Sequence, residues 1–142
     1  MNRRLFFDAM LLIYLLEGHP KYIARVQEIL ATAYRRNDRF FTSFLGLGEV
    51  MAGASKSPSP STPQRIRAKL DDAGFSYLEF GESAVQSFAQ IRSSTRLKSA
   101  DAINLACAAA GRIDLFLTGD RQLMKLQVPG IKFIVDFDTP FI

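Results

Sequence analysis

Four acidic residues stand where open α/β sheets carry out their chemistry. Asp8 directly follows the apolar run Leu5-Phe6-Phe7, and Asp120 follows Leu115-Phe116-Leu117-Thr118-Gly119 in the same way. Read as strands, those runs put both carboxylates at strand C-terminal ends, where parallel sheets form their ligand crevices. Glu49 lies in the apolar segment Phe44 to Ala54, about two helical turns beyond Thr42. Asp101 falls in the first turn of a helix expected from Ser99, its N-cap, to Ala110. Four carboxylates gathered at one sheet edge repel unless protonated or neutralised. A divalent cation relieves that repulsion and accepts oxygen ligands, so Mg²⁺ or Mn²⁺ is the expected partner. Two of the acids also suit plain structural roles: Asp101 a helix N-terminus, through the macrodipole, and Asp120 a turn. Asp8 is harder to explain that way, because an acid set between Leu5-Phe6-Phe7 and Met10-Leu11-Leu12-Ile13 needs compensating partners if buried.

The elements that must position these acids alternate along the chain. Leu5 to Phe7, Phe40 to Thr42, Tyr77 to Phe80, Leu115 to Leu117 and Phe133 to Val135 read as strands, with helical patterns between them. Such alternation predicts a parallel sheet covered by helices. Tyr22, Val26, Ile29, Leu30 and Ala33 recur at helical spacing, and Pro20 is placed to open that helix. Gly111 is placed to end the helix of Asp101 with a positive φ. Ser55 to Pro63, rich in Ser and Pro, reads as an exposed loop. No internal repeat and no glycine-rich phosphate fingerprint is present; Gly46-Leu47-Gly48 lacks the third glycine.

Composition bounds the answer. The chain of 142 residues, 48% hydrophobic and 23% charged, fits one domain spanning residues 1–142. Its 18 Lys and Arg against 14 Asp and Glu leave +4, an excess that permits a polyanionic partner without requiring one. The single cysteine, Cys107, excludes an internal disulfide and a cysteine-rich zinc site, and points to a reducing compartment. Arg3 and Arg4 before Leu5 to Leu16 imitate an export signal, but Asp8 interrupts the stretch and no small-residue cleavage site follows. The longest apolar run, Ala9 to Leu16, is far short of the ~18 residues that suggest a membrane span. A soluble, cytoplasmic protein is expected.

At these same residues the chain resembles a known family. Phe7 to Gly18, Thr42-Ser43 through Glu49 to Gly53, Ser99 to Ile103 and Leu117 to Arg121 look like the successive motifs of PIN-domain proteins, VapC-type toxins in particular. The resemblance runs in order over nearly the whole chain. It implies a three-layer α/β/α sandwich around a mainly parallel sheet of about five strands, Mg²⁺- or Mn²⁺-dependent ribonuclease activity, a homodimer, and an antitoxin partner. Carried over residue by residue, Asp8, Glu49, Asp101 and Asp120 would form the acidic metal site. One ion would lie with Asp8, Asp101 and Asp120, and a second nearer Glu49. The chain departs from the pattern at Ala9 and Met10, where many relatives carry Thr or Ser and a small polar residue, and at Gln122, where some carry a further Asp. The four-acid set is intact.

An acidic site that handles RNA needs positive charge at its rim, and Arg96, Lys98 and Arg121 are the candidates by their nearness to Asp101 and Asp120 in the chain. A solvated face or a salt bridge to a neighbouring acid would account for any one of them equally well. His19, between Gly18 and Pro20, reads as a turn residue, Cys107 as a small core residue, and the 12 Phe as core material. Two other function classes compete. A PIN-fold scaffold would bind RNA or protein without cutting. A receiver-type phospho-acceptor switch is disfavoured, because Asp8 lacks an adjacent acid and the third strand is expected to end at Phe80-Gly81 without an acceptor Asp.

Overall fold

The computed structural model describes residues 2–57 and 60–141. Five strands form one parallel sheet: β1 (Arg4–Phe7), β2 (Arg39–Ser43), β3 (Phe75–Leu78), β4 (Leu115–Thr118) and β5 (Phe133–Asp136), in the order β3-β2-β1-β4-β5. The helices between them are α1 (Ala9–Glu17), α2 (Ile23–Arg35), α3 (Phe44–Ser55), α4 (Pro63–Asp72), α5 (Glu82–Ser94), α6 (Ser99–Ala110) and the short α7 (Arg121–Met124).

The central strands carry the apolar runs Leu5 to Phe7, Phe40 to Phe41 and Leu115 to Leu117 because both sheet faces are covered. Successive side chains alternate between the faces. Leu5, Phe7, Phe40, Phe75, Leu115 and Leu117 pack against α1 to α4. Phe6, Phe41 and Phe116 pack on the other side against α5 and α6. Phe6 and Phe116 stack across β1 and β4 with ring centroids 4.6 Å apart. These two cores, one on each face, make the expected α/β/α sandwich. Among the described residues no helix is long and apolar enough to cross a membrane.

Several boundaries differ from the sequence-based expectations. The third strand begins at Phe75 and ends at Leu78, earlier than Tyr77 to Phe80. Gly74, at φ +95, turns the chain sharply out of α4, so Phe75 enters the core while Phe80 is left exposed. Pro20 does not open a helix: α2 starts at Ile23, after a turn in which Ile23 N–H donates to the His19 carbonyl at 2.9 Å. The N-cap of α6 is Lys98 and not Ser99, and no side chain caps that end. Gly111 has an ordinary φ of −81, and the left-handed residue is Arg112 at φ 53. Glycine at 111 leaves room for Leu78, whose Cδ1 would lie 2.9 Å from a Cβ there and would have to shift to admit one.

The Ser- and Pro-rich segment is shorter as a loop than expected. Ser55 closes α3, and Pro63 opens α4, with the Thr62 hydroxyl accepting from Arg65 N–H at 3.2 Å. Proline is well tolerated at a first helical position because its missing N–H would have had no partner there. Pro58 and Ser59 lie outside the described residues.

Candidate active site

The sheet order reverses direction between β1 and β4, since the chain winds outward from β1 through β2 to β3 and then returns to β4 on β1's other side. At such a switch point the connections leave in opposite directions and open a crevice beyond the strand ends. Phe7 pairs with Leu117, so the chain segments carrying Asp8 and Asp120 emerge side by side. Asp8 N–H donates to the Leu117 carbonyl at 3.1 Å, extending the ladder by one bond. The order is also not the 2-1-3-4-5 of receiver-type proteins, which removes that reading.

Each acid arrives on a different element. Asp8 is the N-cap residue of α1, but its side chain makes no capping bond. Its carboxylate instead accepts from the Thr118 hydroxyl at 2.9 Å, and that same hydroxyl accepts from Asp120 N–H at 3.1 Å. Asp120 caps α7 by accepting from Gln122 N–H at 2.9 Å, which gives Gln122 a backbone role. Glu49 sits midway along α3, whose start is set by Ser43: the buried hydroxyl accepts from Gly46 N–H at 2.9 Å. Asp101 occupies the first turn of α6. All four acids, with Asn104 and Tyr14, line one cavity of about 460 Å³.

The electrostatics follow from this crowding. Burial pushes the Asp8 carboxyl above its usual range, and the Asp101 and Asp120 charges add to the rise while the Thr118 hydroxyl and the Ala9 N–H oppose it. Glu49 is raised by burial and by Asp8 and Asp101, with Asn104 opposing. Asp101 is raised by burial and by Asp120, and lowered in part by Lys98. Every one of these shifts is relieved by a positive charge in the cavity. The donor set also fits: four hard carboxylate oxygens donors suit Mg²⁺ or Mn²⁺, and there is no thiolate or imidazole on the cavity wall to favour a softer ion. Among the described residues, no three acids close into a ready-made cation cluster as the side chains stand.

The positive candidates divide. Lys98 acts on Asp101 and so reaches the site electrostatically. Arg96 and Arg121 are exposed, and none of the three lines the cavity. His19 lies in the turn after α1, stacked on Tyr22. Cys107 is buried, and burial pushes its thiol up to about 11, so it carries little thiolate at neutral pH. Two polar residues at the site escape a search for charges. Thr118 shows only as a threonine closing a strand, and Asn104 only as the one amide on an otherwise alanine-rich helix, three residues after Asp101.

Comparison with known proteins places the fold. The sequence finds no match among curated proteins. Among solved structures, the chain is similar to VapBC2 from Rickettsia felis bound to a DNA fragment from its promoter, with a TM-score of 0.69, 17% identity, and coverage of 94% of this chain and 98% of that one. It is similar to a toxin–antitoxin complex from Klebsiella pneumoniae at a TM-score of 0.65 and 24% identity, over 89% of this chain and 94% of the other. A third likeness is to VapBC-5 from Mycobacterium tuberculosis, at a TM-score of 0.50 and 17% identity, over 70% and 81%. These likenesses are of fold. The family model of the PIN domain matches residues 5–128, a span that includes all four acids, and the chain belongs to the PIN domain family.

Proposed function

We propose that this chain is a Mg²⁺- or Mn²⁺-dependent ribonuclease, the VapC-type toxin of a toxin–antitoxin pair, acting in the cytoplasm as a single domain over residues 1–142. The observation that carries the reading is the convergence of Asp8, Glu49, Asp101 and Asp120 from four elements on one cavity at the sheet's switch point. Asp8, Asp101 and Asp120 would hold one cation, and Glu49 would serve a second. Bound there, the metal would supply polarisation of water and neutralisation of phosphate charge, the chemistry by which such ions promote phosphodiester cleavage. The chain's own part is to orient and to exclude. Thr118 keeps Asp8 and the Asp120 turn in register, and α3 and α6 bring Glu49 and Asp101 across to them. Lys98, with Arg96 and Arg121 on the exposed surface, would draw the RNA backbone toward the acids.

The purified protein is expected to cut single-stranded or loop RNA with Mg²⁺ or Mn²⁺, and EDTA should abolish the cutting until metal is restored. Undiminished cleavage in EDTA would overturn the metal mechanism. Metal-dependent RNA binding without cutting would assign the chain to the non-catalytic scaffolds of its fold.

The toxin–antitoxin complexes that share this fold support an antitoxin partner, tested by co-purification with the product of an adjoining small reading frame. A homodimer is proposed as well, on the apolar surface that α1 leaves open. Tyr14, Leu15 and Leu16 of α1 are only half-buried, and Met10, two turns before Glu17, is 49% exposed. Light scattering at micromolar concentration is expected to give twice the monomer mass, and monomer throughout would count against the dimer.

A further inference from the structure

Asn104 is 6% exposed on α6, three residues after Asp101 and therefore on the same helix face. Opposite it stands Ser43, fully buried at the end of β2. The Ser43 hydroxyl accepts from Gly46 N–H and donates its one proton to the Asn104 carbonyl oxygen Oδ1. With Oδ1 turned to Ser43, the Nδ2 amino group faces the other way. Asn104 also lines the acidic cavity, whose four carboxylates are all acceptors, so a donor pointing inward is complementary to them. Glu49 lines the same cavity, on the helix that Ser43 starts.

We propose that Ser43 and Asn104 form a positioning pair, in which the serine hydroxyl locks the amide so that it donates into the cavity and holds Glu49 in register with Asp101. One hydroxyl thereby serves both helices: it starts α3, which carries Glu49, and it fixes the amide on α6, which carries Asp101. The same orientation turns the Asn104 carbonyl away from the cavity, so Asn104 acts as a donor to an acid and not as a cation ligand. The inference rests on the nuclease reading for its consequence in RNA cleavage, whereas the positioning itself is read from cation binding.

The test measures Mn²⁺ affinity, metal-free melting and RNA cleavage on the whole chain. Asn104→Leu keeps the branched shape and removes the donor. It is expected to weaken Mn²⁺ binding and cleavage about 10- to 100-fold, the usual loss when a group orienting a ligand is removed, with a modest fall in metal-free melting because the Ser43 hydroxyl loses its acceptor. Ser43→Ala, which leaves the amide free to turn, should weaken Mn²⁺ binding in the same direction, and Ser43→Thr, which keeps a hydroxyl, should restore it. Parent-like Mn²⁺ affinity in Asn104→Leu and Ser43→Ala would overturn the proposal. So would lowered melting with parent-like affinity, the signature of a residue that only fills the core. A parent that binds Mn²⁺ but leaves RNA uncut defeats the nuclease reading alone, and weakened binding in Asn104→Leu would still support the pair. A parent with no affinity for Mn²⁺ overturns both.

Discussion

Asp101→Asn is expected to cut RNA about 10³-fold more slowly than the parent while, without metal, melting at or above the parent's temperature. The first half follows from losing one of the acids that would hold the cation. Removing about 4 kcal/mol of transition-state stabilisation, within the several kcal/mol a metal supplies, corresponds to ~10³ in rate. The second half follows from burial and the Asp120 charge, which raise the Asp101 carboxyl above its ordinary value of 3.8. A carboxyl raised in the folded state contributes stability below its unfolded value and loses it as pH rises through the folded value. At pH 7 the ionised Asp101 therefore weighs against the metal-free fold, and Asn removes that weight. The advantage of Asn should shrink as pH falls toward 3.8, where the parent protonates. The helix-terminus role has the opposite sign: losing a charge near the start of α6 would cost about 0.3 to 1 kcal/mol. Normal cleavage with lowered melting would therefore remove Asp101 from the cation site.

Thr118→Val should cost both stability and activity, although it preserves shape. Thr118 is fully buried, and its hydroxyl serves Asp8 and Asp120 N–H together. Valine leaves those two groups short of a partner at a cost of about 1 to 3 kcal/mol. It also removes the strongest influence opposing the rise of the Asp8 carboxyl, so that carboxyl climbs further above its ordinary 3.8. By the same linkage, the melting deficit should be largest near pH 7 and diminish as pH falls and Asp8 protonates in the folded state. Mn²⁺ affinity and cleavage should drop about 10- to 100-fold. Thr118→Ser, which keeps the hydroxyl, should recover most of each. Equal Mn²⁺ affinity and an unchanged pH profile in Thr118→Val would show that the hydroxyl does not position the acids.

Features that depend on near neighbours were legible in the chain alone. Uninterrupted apolar runs flanked by helical periodicity marked the parallel strands, and Asp8 and Asp120 could be placed at strand ends because each lies within two residues of one. The helix from Ser99 to Ala110, with Asp101 in its first turn, was legible for the same local reason. Finer geometry was not. The exits from α4 and α6 depend on which residue turns left-handed and on the space left beside Leu78, and neither leaves a pattern in the chain.

Which elements meet is set by packing between distant parts of the chain. Asp8 and the Thr118 that holds it are 110 residues apart, and Ser43 and Asn104 are 61 apart. Their pairing comes from β4 docking beside β1 and from α6 packing over β2, so it reflects the burial of Phe6, Phe41 and Phe116 in a shared core. A lone threonine or asparagine carries no charge or periodicity to announce it. Such a residue acquires its role when packing removes water and leaves a carboxylate or an amide few partners within reach.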